Sequence, residues 1–220
     1  PVGPLPGSDG ARVGHPEYTG YDGQDINQAD VALLQYPLGI EMPADVARDD
    51  LAYYEQRSST SGTAGFYTGD SSYGVAWLRL GGNKTAADRQ FAEGLKHIDV
   101  VDGFGVWCET LQEGGGNLNF LTGAGGWLQH LVFGYAALRY SASGTVVVGA
   151  APQLPPGSDY YGTVDQEVVT GMTVRGVALG IHRFTLRFDN ETIALFSSSR
   201  DDNDAVGSST TSSSSSSSSS

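Results

Sequence analysis

A single cysteine, Cys108, stands in the 220 residues, so neither an internal disulfide nor a multi-cysteine zinc site is available. The thiol reads as a small buried hydrophobe. Positive charge is also scarce. Twelve Lys and Arg face 25 Asp and Glu, giving a formal charge of −13 and a pI of 4.4. A surface this acidic repels phosphate backbones and anionic lipid, which disfavours nucleic acid and membrane surfaces as partners. No apolar run reaches the roughly 18 residues that a spanning helix needs. The four histidines, His15, His97, His130 and His182, form no ligand spacing, so no metal and no cofactor is expected. There is no G-x-S-x-G elbow on which a serine triad could rest. A small neutral ligand such as a sugar remains compatible; the oligomeric state is left open.

Glycine is abundant instead, 31 of 220, about twice the usual share. It gathers between periodic segments, which suggests long, shaped loops. The opening PVGPLPGSDG has no Met, no charged n-region and no apolar h-region, and reads as a chain already under way, a fragment. Two N-x-T sequons, Asn83-Lys84-Thr85 and Asn190-Glu191-Thr192, tilt the compartment slightly toward secreted or vacuolar, with cytoplasmic still open.

Residues 1–25 read as coil. From Gln28, QADVALLQY places Val31, Leu34 and Leu38 on one stripe before Pro37 and Gly39 disturb it. A second helix is predicted after Pro43 through ADVARDDLAYYEQR, with Val46, Leu51 and Tyr54 as its apolar set. A third covers Thr63 to Leu80, with Phe66, Tyr73 and Trp77 at helical spacings. The fourth, Thr85 to His97, opens with the capping-box pattern TAAD, and the last runs from Gly126 to Tyr140. From Ser141 the runs TVVVGA, EVVTGMTVRGVAL, HRFTLRF and ETIALF are β-branched, aromatic and of strand length. The expectation is a mainly α chain over 1–140, a small antiparallel β module over 141–200 and a disordered serine tail over 201–220. Periodicity alone leaves half of an α/α barrel and a bundle equally open.

The chemistry centres on GVWCETLQEGGGNLNFLTGAGGWLQH, residues 105–130. Glycosidic hydrolysis needs a proton donor and, for inversion, a carboxylate that activates water on the opposite side. Glu109 follows Phe104, Val106, Trp107 and Cys108, a short apolar run that could bring it to a cavity wall, where an indole can tune its pKa. Glu113, four residues on, reads as a solvated charge. Gly123, Gly125 and Gly126 precede WLQHLVFGY, a geometry open to anion binding by backbone N–H groups. No Lys or Arg lies between Lys96 and Arg139, however, so close packing of a helix start is the plainer use. Trp77, Trp107 and Trp127 fit core packing better than sugar stacking.

Several of these segments together resemble the C-terminal part of glycoside hydrolase family 65, in its acid-trehalase branch. They are HPEYTGYDG at 15–23, NQADVALLQYPL at 27–38, DDLAYYE at 49–55, FGVWCE at 104–109, NFLTGAGGWLQHLVFGYAALR at 119–139 and PQLPP at 152–156. The ordered set covers about residues 15–185. The resemblance implies a partial (α/α)6 barrel followed by a small antiparallel β-sandwich, acting by inversion on trehalose or a related α-glucoside. It also implies that Glu109, the glutamate of V-W-x-E, is the general base. The family's K-Q-A-D-V segment holds the glucosyl unit; Gln28 matches its Gln, whereas Asn27 stands where the family has Lys. That change removes a cation and keeps an amide able to bond hydroxyls. The family's general acid lies upstream of this motif and has no counterpart in residues 1–26, so the chain on its own is expected to be inactive. Phosphorylases of the family carry a His-Asp-Ser-Ser run after Y-Y-E. Here QRSSTSGTAGF follows Glu55, which favours water over phosphate as the nucleophile. The alternatives are a disaccharide phosphorylase of the same family and a non-catalytic sugar-binding or structural barrel.

Overall fold

ADVARDDLAYYE brings an apolar side chain to one face every third or fourth residue, which favours a helix with one buried stripe. It forms α1 (Ala44–Glu55), burying Val46, Ala47, Leu51, Tyr53 and Tyr54. The computed structural model describes residues 2–58, 69–81, 83–98, 105–111, 116–140, 146–149, 151–157, 169–179 and 182–199. Phe66, Phe104, Glu113 and the serine tail over 201–220 lie outside these residues.

α2 (Asp70–Arg79) buries Tyr73, Val75, Ala76, Trp77 and Leu78, and packs on α1, α3 and α4. Glu55 ties three helices together. Its Oε2 accepts from the Trp77 indole at 3.0 Å, and its Oε1 accepts from Gln90 at 2.7 Å and from the Arg89 guanidinium. α3 (Lys84–Leu95) begins one residue earlier than expected. Asn83, not Thr85, is its cap, with the Asn83 Oδ1 accepting the Ala86 N–H at 3.0 Å. Thr85 already lies inside the helix, where it cannot serve the unpaired first-turn donors as a cap does.

Two other helical expectations shift. From Gln28 a single 3-10 turn, Asp30–Leu34, replaces a full helix. Val31 is buried, but Leu38 is 63% exposed, because Pro37 interrupts the ladder before the stripe can continue. The last helix, α4, spans Leu121–Gln129 rather than starting at Gly126. It passes into a π turn, His130–Tyr135, closed by the Ala136 N–H donating to the Leu131 carbonyl at 2.9 Å. Helix stops there, since Ala137 takes φ +53°, a conformation unfavourable for a residue with a Cβ. Leu138–Tyr140 is then strand, not helix.

The small strands are β1 (Gly3–Pro4) with β2 (Val13–Gly14), and β3 (Leu138–Tyr140) with β4 (Val146–Val148), each pair antiparallel. β5 (Gly171–Leu179), β6 (His182–Asp189) and β7 (Ile193–Ser199) make an antiparallel meander in that order. In β6, Leu186 and Phe188 are buried while Arg187 and Asp189 are exposed, the alternation of a half-buried strand. β5 carries a bulge between Val174 and Val177, where Gly176 takes φ +72°. Leu186 and Phe188 pack with Ala136 and Leu138, and Met172 touches both this cluster and the helical core. The described residues thus combine four α-helices with antiparallel sheets.

The π turn has its own packing requirement. The His130 ring stacks on Tyr135 with centroids 5.0 Å apart and meets Phe91 edge-on at 5.5 Å. A Cβ on Gly74 would fall inside that imidazole. Gly74→Ala is therefore expected to lower stability by about 1–3 kcal/mol, as overpacking does; a urea melt with unchanged slope and a lower midpoint would show it.

Candidate functional site

Glu109 lies on an irregular segment clamped between the end of α3 and the start of α4. On one side, the Cys108 N–H donates to the His97 carbonyl at 2.9 Å, and the His97 Nδ1 bonds the Cys108 carbonyl at 2.9 Å. A carbonyl only accepts, so Nδ1 carries the proton. Burial holds the His97 pKa below its ordinary value. On the other side, the Phe120 N–H donates to the Trp107 carbonyl at 2.8 Å and the Glu109 N–H to the Asn117 carbonyl at 2.9 Å. Cys108 is buried, as its lone occurrence suggested. Trp107 is buried against Trp127, whose ring stacks on Phe91 with centroids 4.6 Å apart. All three tryptophans belong to the packing of the helices.

The Glu109 side chain is half-buried and held by Asn117. The Asn117 backbone N–H and its side-chain Nδ2 both donate to Oε2, each at 2.9 Å. Both of these bonds fall on one oxygen, and among the described residues Oε1 receives none. Gly116 makes the wrap possible. It takes φ +69°, and a Cβ there would stand 2.9 Å from the Glu109 Cβ and 3.0 Å from Oε2. Asn117 carries no signal in the sequence, since its partner is eight positions away across a loop without period.

Asn27 and Gln28 are exposed and lie just before the 3-10 turn. The Gln28 Nε2 reaches the Asp30 Oδ1 at 3.4 Å. Glu17 fixes this loop: its Oε1 accepts the Asp30 N–H at 2.7 Å and its Oε2 the Val31 N–H at 3.2 Å. Glu17 thus supplies two first-turn donors with the acceptor that Ala29 cannot offer. Burial raises the Glu17 pKa, while those two bonds pull it back. Gln28 and Glu109 therefore stand on separate loops, each held by local bonds.

In the stretch 105–130, Gly123 and Gly126 serve packing. Gly123, Gly125 and Gly126 lie inside α4, so the N–H groups of Gly125 and Gly126 belong to the helix ladder and not to an anion cradle. A Cβ at Gly123 would stand 2.6 Å from the Phe120 ring and 2.9 Å from the Trp107 Nε1, and one at Gly126 would strike the Ser71 hydroxyl. A separate cleft of about 500 Å³ is lined by Glu55, Gln56, Trp77, Asn83, Arg89 and Gln90 among others, and does not include Glu109.

The chain is similar to several glycoside hydrolases. It is 41% identical over 144 residues to the protein-glucosylgalactosylhydroxylysine glucosidase of Dictyostelium discoideum, covering 66% of this chain and 19% of that protein. It is 33% identical over 141 residues to the periplasmic acid trehalase of Saccharomyces cerevisiae, covering 57% of this chain and 11% of that one. A solved structure assigned as a kojibiose phosphorylase from the human microbiome shares the fold. Its TM-score is 0.54 at 14% identity, over 80% of this chain and 20% of its own. No protein-family model matches. Together these matches make the chain glycoside hydrolase family 65-like, similar to its trehalase-like branch. It spans about a fifth of the length of the first relatives it matches.

Proposed function

We propose that this chain is the part of an inverting α-glucoside hydrolase that supplies the general base and part of the sugar subsite. Glu109 is the base, and Asn27 and Gln28 contact the glucosyl unit of trehalose or a related α-glucoside. The observation that carries the reading is the asymmetric hold on Glu109. Two N–H donors fix Oε2, which orients the carboxylate and leaves Oε1 to take a proton from attacking water. Inversion also needs an acid on the far side of the scissile bond. The resemblance assigns it to a segment N-terminal to the Asn27–Gln28 motif, and no residue here is proposed for it. Within this reading, residues 1–140 belong to a partial (α/α)6 barrel and 141–200 to a small β-sandwich. The compartment is secreted or vacuolar, as the periplasmic relative supports.

The test is carried out on the whole protein. Trehalose and other α-glucosides should release free glucose in buffer without phosphate. Strict dependence on phosphate, with glucose 1-phosphate as the product, would replace hydrolysis by phosphorolysis. Asn27 in place of a lysine favours a second reading, a sugar-binding barrel without turnover; calorimetric binding of trehalose with no product would establish it. Asn117→Ala removes one of the two donors to Oε2 and retains the backbone one. The expected result is a roughly tenfold loss of kcat with KM little changed, in line with one hydrogen bond to a charged group.

A further inference from the structure

The two N-x-T triplets are far apart in sequence and close together in the fold. Lys84, the middle residue of one, and Asn190, the first of the other, line the same surface groove of about 400 Å³ with Pro152 and Gln153. Asn190 sits in the turn between β6 and β7 and is exposed, as are Glu191 and Thr192. That turn is closed by Asp189. Its Oδ1 accepts the Glu191 N–H at 2.8 Å and the Thr192 N–H at 2.7 Å, and its Oδ2 accepts the Thr192 hydroxyl at 2.9 Å. None of these bonds uses the Asn190 amide, so a bulky group on its nitrogen would displace nothing. Asn83 differs: it is half-buried, and its Oδ1 is committed to capping α3.

We propose that Asn190 is an N-glycan acceptor, modified as the chain passes through a secretory route, with the sugar projecting from the β6–β7 turn beside the Lys84 groove. In the transfer, the Asn190 Nδ2 forms a bond to the anomeric carbon of an oligosaccharide carried on a lipid pyrophosphate. The bond from that carbon to the phosphate oxygen breaks, the lipid pyrophosphate leaves with the electron pair, and the amide nitrogen gives up one proton. A glycan here requires this end of the sheet to face solvent in the whole protein. The inference does not depend on the role given to Glu109.

The whole protein is to be secreted from a eukaryotic host and its peptides mapped before and after N-glycosidase treatment. The expected result is an Asn190 peptide that carries hexose and N-acetylhexosamine mass and is converted to Asp at that position by the enzyme. Asn190→Gln should lose one glycan from the intact mass and keep the thermal midpoint of the deglycosylated wild type. An unmodified Asn190 peptide in the wild type would overturn the proposal, and that measurement needs no variant to fold. An Asn190→Gln protein whose intact mass still carries every glycan of the wild type would overturn it equally.

Discussion

Glu109→Gln in the whole protein should lower kcat for α-glucoside hydrolysis by about 10²–10⁴-fold, the usual contribution of a positioned general base. That loss corresponds to about 3–5 kcal/mol of transition-state stabilisation. The substitution isolates chemistry from architecture. The amide oxygen of glutamine can still accept from both Asn117 donors, so the wrap of Gly116 and Asn117 is kept. What is lost is the second carboxylate oxygen, which is replaced by an NH2 group unable to take a proton from water. KM should therefore change little, because sugar contacts made before the transition state are untouched. Steady-state kinetics on the purified variant decides the matter, and turnover within a factor of a few of the wild type would remove Glu109 from the base role.

The second large effect is acid sensitivity centred on His130. Its ring is fully buried, both ring nitrogens lack hydrogen-bond partners among the described residues, and burial pushes its pKa down to about 3. In the unfolded chain an imidazole titrates near 6.5. The folded state thus disfavours the proton that the unfolded state accepts. Stability from the neutral ring is complete above about pH 6.5 and falls as pH drops toward the folded value. By pH 5 the loss is about 2 kcal/mol. His130→Phe keeps an aromatic ring against Tyr135 and Phe91 and removes the titration. Some overpacking cost is expected at every pH. Denaturant melts at pH 7.5 and pH 5 should show the wild type losing about 2 kcal/mol more than the variant between the two. Equal losses would mean that the imidazole is hydrated or partnered in solution.

Local pattern carried some elements and not others. α1 was legible because its stripe of Val46, Leu51 and Tyr54 is periodic and uninterrupted, and all three are buried. The start of α4 was not, because LTGAGG has low intrinsic helix propensity. Its glycines are required by neighbours from distant segments, the Ser71 hydroxyl and the Trp107 indole, which no single-window reading contains. The cap of α3 was displaced by two residues because Asn83 and Thr85 are both competent caps, and only the backbone decides between them. Strand β3 was hidden inside an apolar run that continued the helical period past Tyr135. At the site, the apolar run before Glu109 made it a candidate, and the family resemblance gave it the role of general base. Asn117, Glu17 and His97 act through backbone contacts from other segments and leave no trace in spacing.

The π turn at the end of α4 has a consequence for the chain's tolerance to length change. Each residue of an α-helix advances the side-chain direction by about 100°. Deleting one residue between 130 and 135 would let the wide turn close as ordinary α-helix with every N–H still paired, so the backbone would register little loss. The side chains on either side would nevertheless rotate relative to one another. Trp127 could stay on Phe91 only if Tyr135 left its bond to the Asp88 carboxylate, now 2.7 Å long. The extra residue therefore acts as a phase adjustment between the helix that packs against Trp107 and the strand Leu138–Tyr140 that follows it, and a deletion of one residue there is a rotation of one against the other.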